Sequence, residues 1–359
     1  MEKIVLVIGA MLMAFGSQVF AQSNKWETLN SRTLTLMQQG LYKEAVPVAK
    51  KALSAAEENL AGNHPDVVTL LHNLASLYEA LGAYAQAEPL FERILKIREQ
   101  VLGTRHIDLV ISLNNLASIY EAQAKYARAE PFYQRSFQIL RNSFGPDHSD
   151  LAIALNNLAS LYQDQGQYAS AEANWKRSLE VAEKTLGPDH PNVGSTLNNL
   201  ARLYVEQGKV AEAYPVCKQA LEVLDAQVGT QHPRFAAAQI EMGRIHSARG
   251  DYDKAETQFE QALKVFNDTE GMGQERVGHC HLYMGKMYRA KGNPERAVKS
   301  LKQALDIYAE ALPPLHPRLV ETWYELAGAY EERGMEPEAN EARRSAQSIR
   351  GDRLKADSP

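Results

Sequence analysis

Six histidines stand 42 residues apart, at His64, His106, His148, His190, His232 and His316, with Gln274 in the vacant place of the series. Imidazole can ligate a metal, move a proton or accept a hydrogen bond. A metal needs several ring nitrogens within ~2.0–2.1 Å of one ion, which side chains a whole repeat apart cannot provide. Each histidine precedes a helical pattern, as His-Pro, His-Ser or His-Ile, so its expected role is in a turn at a helix start. His279-Cys280-His281 has metal-ligand types, but on a helix neighbours at i, i+1 and i, i+2 do not face each other. A second set on the same spacing is the asparagine pairs Asn114-Asn115, Asn156-Asn157 and Asn198-Asn199. A carboxamide donates and accepts at once, which suits it to gripping a peptide backbone. Gly-x-Ser-x-Gly, a Walker-type glycine loop and His-Glu-x-x-His do not occur, so the reading is a non-catalytic chain with no metal and no cofactor.

Behind these residues lies one unit copied many times. Ten residues after each frame position come Leu74, Leu116, Leu158, Leu200, Met242, Met284 and Leu326, each followed by alanine or glycine. Four residues after that core position stand Tyr78, Tyr120, Tyr162, Tyr204, His246, Tyr288 and Tyr330. With Leu71 before Leu74, the spacing is one face of an α-helix. Gly82, Gly166, Gly208, Gly250, Gly292 and Gly334 then stop the helix, with Ala124 the exception. A second helix carries Ala87, Ala129, Ala171, Ala213, Ala255, Ala297 and Ala339. Four residues beyond come Phe91, Tyr133, Trp175, Cys217, Phe259 and Leu301, with Arg343 in the last copy. Pro89, Pro131 and Pro215 are expected in the first turn of this helix, where a missing N–H removes no bond. An upstream copy fits through Leu29, Gly40, Tyr42, Ala45 and Ala52. The expectation is about eight helical hairpins, an all-α solenoid over 22–350, with 351–359 a polar tail.

The string Leu113-Asn114-Asn115-Leu116-Ala117-Ser118-Ile119-Tyr120, followed by Ala129-Glu130-Pro131-Phe132-Tyr133, resembles the tetratricopeptide repeat in its 42-residue kinesin light chain form. That resemblance implies a right-handed superhelix of helix-turn-helix repeats. It also implies that the first helix of each hairpin lines a concave groove, at the slots one and two residues before the core leucine and two after it. Those slots hold Asn73, Asn114, Asn115, Asn156, Asn157, Asn198 and Asn199, then a cationic row, Arg202, Arg244 and Lys286, with Arg289 one turn beyond. Glu79 and Glu121 occupy the slot of Arg289 in earlier repeats, so the groove is expected to be charge-polarised. Two readings of the asparagines stand: contact with an extended ligand, or a ladder that holds one repeat on the next. The cationic row would take an acidic segment over repeats five to seven.

Residues 1–21 read as a cleaved secretory signal: Lys3, the apolar run Ile4–Phe15, and Val19-Phe20-Ala21 as the cleavage site before Gln22. A periplasmic or secreted protein without stable membrane insertion is expected. A formal net charge of −5 and the lack of a basic stripe exclude nucleic acid as a partner class. Cys217 and Cys280 are expected to be buried thiols. The function expected is a scaffold that binds a protein or extended peptide in the groove. The alternative is a structural subunit of an envelope assembly, joined through convex faces or solenoid ends. No oligomeric state is readable.

Overall fold

The computed structural model describes residues 25–268, 274–312 and 314–356. The signal segment expected over 1–21 and the last three residues lie outside the described residues. Helices α1 (25–38) and α2 (Tyr42–Glu57) form the first hairpin. There follow α3 (Pro65–Ala80) and α4 (Tyr84–Leu102), α5 (Leu109–Ala122) and α6 (Tyr126–Phe144), and α7 (Ser149–Asp164) and α8 (Tyr168–Leu186). Then come α9 (Pro191–Glu206) and α10 (Val210–Val228), α11 (Pro233–Ala248) and α12 (Tyr252–Asp268), and α13 (Gln274–Ala290) and α14 (Pro294–Ala311). The last hairpin is α15 (Pro317–Glu332) and α16 (Glu336–Ala356), so α16 takes in six residues expected to be tail. All described regular structure is helical, in eight hairpins. The chain forms two compact units, one ending at Ile119 and one beginning at Tyr120.

The recurring histidines begin the first helices. Nδ1 of His64, His106, His148, His190, His232 and His316 accepts the N–H two residues on, at 3.0–3.3 Å. The first N–H groups of a helix have no intrahelical acceptor, and the ring nitrogen supplies one. Acceptance requires Nδ1 to be free of its proton.

The other end of the first helix is closed by backbone geometry. In α3, Gly82 N–H donates to Glu79 and Ala83 N–H to Tyr78, the paired bonds of a Schellman turn that needs a left-handed residue. Gly82 supplies it with φ 67°. Ala124 breaks the glycine pattern in sequence but not in space. It holds φ 58° and makes the same two bonds, to Glu121 and through Lys125 to Tyr120.

Within each hairpin the small residue after the core leucine lets the two helices close. A Cβ at Gly243 would stand 2.7 Å from the Phe259 ring, and one at Gly285 would stand 2.5 Å from Leu301. In the fourth hairpin Ala159 and Trp175 are both wholly buried. The first unit adds Phe91, Leu71 and Ile94 to its core. In the second unit, successive hairpins are stapled by a tyrosine hydroxyl that donates to a glutamate 32 residues earlier. The pairs are Tyr162 to Glu130 at 3.2 Å, Tyr204 to Glu172 at 3.2 Å and Tyr288 to Glu256 at 2.9 Å. Cys217 and Cys280 are free thiols and buried, with Cys217 Sγ 3.5 Å from the Ala238 carbonyl.

One expectation is corrected. Pro89, Pro131 and Pro215 lie six residues into α4, α6 and α10, past the first turn, because these helices start directly after the Schellman turn. Each removes one intrahelical bond. All three are exposed, so the freed carbonyl region faces water.

A left-handed alanine is strained by ~1–2 kcal/mol, which a glycine relieves at an entropic cost of ~0.4–1 kcal/mol. Ala124→Gly is therefore expected to stabilise the protein by about 0.5 kcal/mol in denaturant unfolding. A loss of stability would refute the account of that turn.

Candidate binding groove

Several asparagines face one repeat onto the next. In the first unit Asn73 Nδ2 donates to Asn30 Oδ1 at 2.9 Å, and Asn115 Nδ2 lies 3.4 Å from His72 Nε2. Asn114 Oδ1 is buried without a partner. In the second unit Asn156 Nδ2 donates to the Ala152 carbonyl, to Ser178 Oγ at 2.6 Å and to Thr196 Oγ1 at 2.9 Å, which joins α7 to α8 and α9. Asn157 is half-buried beside it. Asn198 and Asn199 line an open cleft, and Asn198 Oδ1 is buried without a partner. The set thus divides: Asn73, Asn115 and Asn156 hold the stack, while Asn198 and Asn199 face space a ligand could fill.

The cationic row is not the free surface that the sequence suggests. Arg244 Nη1 lies 2.6 Å from Glu241 Oε2, and its guanidinium sits 4.3 Å from the centre of the Tyr283 ring. Lys286 is 2.7 Å from Glu321 and 3.7 Å from Glu325. Arg289 pairs with Glu325 and, at 2.8 Å, with Glu332. Glu241 and Glu325 occupy asparagine slots of the earlier repeats, so the residues that replace the asparagines also consume the cations. Arg202 differs: it donates to Gln163 Oε1 at 3.1 Å and keeps its Nε buried without a partner. Glu121 does not offer a free acid either, since it accepts Tyr133 Oη at 2.7 Å.

The cleft, of about 440 Å³, lies in the second unit and is lined by first helices only: α7, α9, α11, α13 and α15. The C-terminal end of α7, at Gln163 and Asp164, shares it with Arg318 in the first turn of α15. Its cationic wall is Arg202 with Arg234, Arg276 and Arg318. The last three were missed from the sequence, although they repeat every 42 residues two positions after the histidine frame. The signal was present in a slot that the family resemblance does not assign to the groove.

The walls shift the charges within. Burial and the arginines, Arg318 first, hold the His279 imidazole neutral, and its Nε2 is 3.5 Å from Glu275 without hydrogen-bond geometry. Burial raises the Asp164 carboxyl, against the pull of Arg202 and Arg318 and with a smaller push from Glu206 and Glu275. Glu121, in the same unit, is pushed up to about 7, chiefly by burial and despite the Tyr133 hydrogen bond. The folded protein therefore favours the neutral acid at Glu121. Its stabilising proton is fully present below about 4.5 and is lost as pH rises to about 7. Glu121→Gln keeps an acceptor for Tyr133 and abolishes that loss. Thermal unfolding should show the variant more stable than the parent above pH 7, by at most about 3 kcal/mol, and level with it below 4.5. An advantage that does not shrink on acidification would show that Glu121 is not the titrating group.

The comparisons with known proteins agree on the architecture. The tetratricopeptide repeat matches at residues 27–100, 66–142, 108–173, 150–213 and 204–268, and a second tetratricopeptide repeat description matches at 240–311. No curated protein matches. Among solved structures, a putative kinesin light chain of Podosopora anserina with nearly identical TPR-like repeats is 27% identical, covers 57% of this chain and 98% of its own, and has a TM-score of 0.43. The apo form of RapI is 14% identical over 92% of this chain and 99% of its own, with a TM-score of 0.54. The Cut9–Hcn1 hetero-tetramer of the APC/C is also 14% identical, over 89% of this chain and 52% of its own, at 0.55. At 14% identity these likenesses speak for the fold alone. The matched repeats run from 27 to 311, and the chain belongs to the tetratricopeptide repeat family.

Proposed function

We propose that the protein is a non-catalytic scaffold whose first-helix face in the second unit holds an extended peptide or a segment of a partner protein. The tetratricopeptide repeat fold is typical of protein–protein interaction scaffolds, and no catalytic family is indicated. The observation that carries the reading is the cleft between α7 and α15, where Asn198 Oδ1 and Arg202 Nε are buried and unpartnered. A buried polar atom without a partner costs ~1–3 kcal/mol, and a backbone amide or carbonyl entering the cleft would remove that cost. The asparagines read sequence-independent backbone because a carboxamide can serve either polarity. Helices stacked in a fixed register present these groups preformed, so the ordering entropy of binding falls mainly on the ligand.

The reading is tested with the pair Asn198→Ala and Asn199→Ala, since Asn73, Asn115 and Asn156 are engaged in the stack. Capture from a native envelope fraction by the parent, with at least about tenfold loss in the double variant at unchanged melting temperature, is the expected result. A partner retained equally by both proteins would sink the groove reading.

We propose further that the protein is exported. The support is the charged start, apolar run and small-residue site of residues 1–21. Among the described residues no helix is long and apolar enough to cross a membrane. The intact mass of the protein from a periplasmic or secreted fraction should correspond to a chain starting at Gln22. A mass that retains Met1 would refute cleavage.

A further inference from the structure

The first turns of α11, α13 and α15 carry Arg234, Arg276 and Arg318, where the earlier hairpins have Asp66, Asp108, Asp150 and Asn192. The acidic residues suit the positive end of a helix dipole and the arginines oppose it, so this change of sign works against the helices that bear it. Arg318 is answered by Glu275 at 3.7 Å, but Arg234 and Arg276 have no ion pair among the described residues. Arg234 Nη1 reaches only a neutral acceptor, Asn192 Oδ1, at 3.2 Å. Arg276 makes no hydrogen bond and no ion pair among the described residues, and stands 5.8 Å from the Phe266 ring. Arg202 joins them from α9 with its Nε buried and unpartnered. Of the four carboxylates of the cleft, Glu241 turns to Arg244, Glu206 to Gln163 and Glu275 towards Arg318 at 3.7 Å, while burial raises the Asp164 carboxyl towards its neutral form against the pull of Arg202 and Arg318.

We propose that Arg202, Arg234 and Arg276 form a seat for a compact oxyanion carrying two or more negative charges, of the phosphate or polycarboxylate class. Guanidinium groups present paired N–H donors in the spacing of such oxygens. Three of them line one cleft with no carboxylate at ion-pair distance among the described residues, and they carry N–H donors beyond the two spent on Gln163 and Asn192. The cleft's volume of about 440 Å³ suits a small ligand. Burial lowers the hold of Arg276 on its proton, with the attraction of Glu275 opposing it and repulsion from Arg202 and Arg234 adding to it. The seat shares the cleft and Arg202 with the peptide reading, but Arg234 and Arg276 stand in a slot of the repeat that the asparagines do not occupy.

Isothermal titration of the purified protein with pyrophosphate, at constant ionic strength, tests it. One pyrophosphate per chain is expected to bind and to raise the melting temperature by mass action. Arg276→Gln and Arg234→Gln should each weaken binding at least about tenfold, with Arg276→Lys intermediate because it keeps charge but not the fork. Arg344→Gln, on the exposed face of α16, should bind like the parent. Arg276→Gln should melt no lower than the parent, since it removes like-charge repulsion. A phosphoserine hexapeptide distinguishes the source: tighter binding than pyrophosphate assigns the oxyanion to a modified partner, and weaker binding assigns it to a free small molecule. Either result requires the seat. Heat no greater than that of matched chloride, or equal pyrophosphate affinity in the parent and both glutamine variants, would overturn it.

Discussion

The approach of two helices to within a side chain's thickness governs this molecule. The first helix of a hairpin lays its backbone against the bulky residue of the second, and at Gly243 and Gly285 there is no room for even a methyl group. That contact fixes the pairing within a hairpin but leaves the outer faces of both helices apolar. A single hairpin cannot cover them, so each must stack on the next. The Tyr–Glu staples at a separation of 32 residues hold that stack in the second unit in one register. Identical register is what brings like slots of successive first helices onto one surface. The cleft is a consequence of packing before it is a feature of chemistry.

How much of this was legible depended on whether a residue acts within its repeat or between repeats. The helix pairs, the glycine stops and the upstream copy marked by Gly40 came from one frame, because capping and helix periodicity are local. Even Ala124 obeys the frame, since the surrounding turn imposes the left-handed conformation on a residue that disfavours it. The prolines were misplaced by a local error about where α4, α6 and α10 begin. The cationic row failed for a different reason. A column of like slots carries no information about the columns beside it, whereas Arg289 is neutralised by Glu325 and Glu332 of the next repeat. Charges that cross from one repeat to the next cannot be paired from a single column of the frame.

Charge that is paired inside the stack and charge that is left facing the cleft have different meanings. Arg244 lies against Glu241 of its own helix and Lys286 against Glu321 of the next repeat, so both charges are matched inside the stack. Arg276 has no such ion pair among the described residues: Glu275 beside it lies towards Arg318, and Arg202 and Arg234 repel it. A fold selected only for stacking would gain by placing acidic residues in those first turns, as the early hairpins do at Asp66 and Asp108. The later hairpins do the opposite at three consecutive positions.

The same reasoning separates the asparagines. Asn156 spends its amide on three acceptors and could not serve a ligand without loosening α7 from α9. Asn198 sits one repeat later in the same column, yet its carbonyl oxygen is buried and unmatched. The column changes role where Thr196 in α9 gives way to Ala238 in α11, since a threonine hydroxyl can meet the amide of the preceding repeat and an alanine methyl cannot. Ala238 therefore leaves Asn198 without the partner that Asn156 has, as Ala154 leaves Asn114. Ala238 does so in the stretch of the second unit where the uncompensated arginines begin, so polar and cationic groups left over by the stack face the same space.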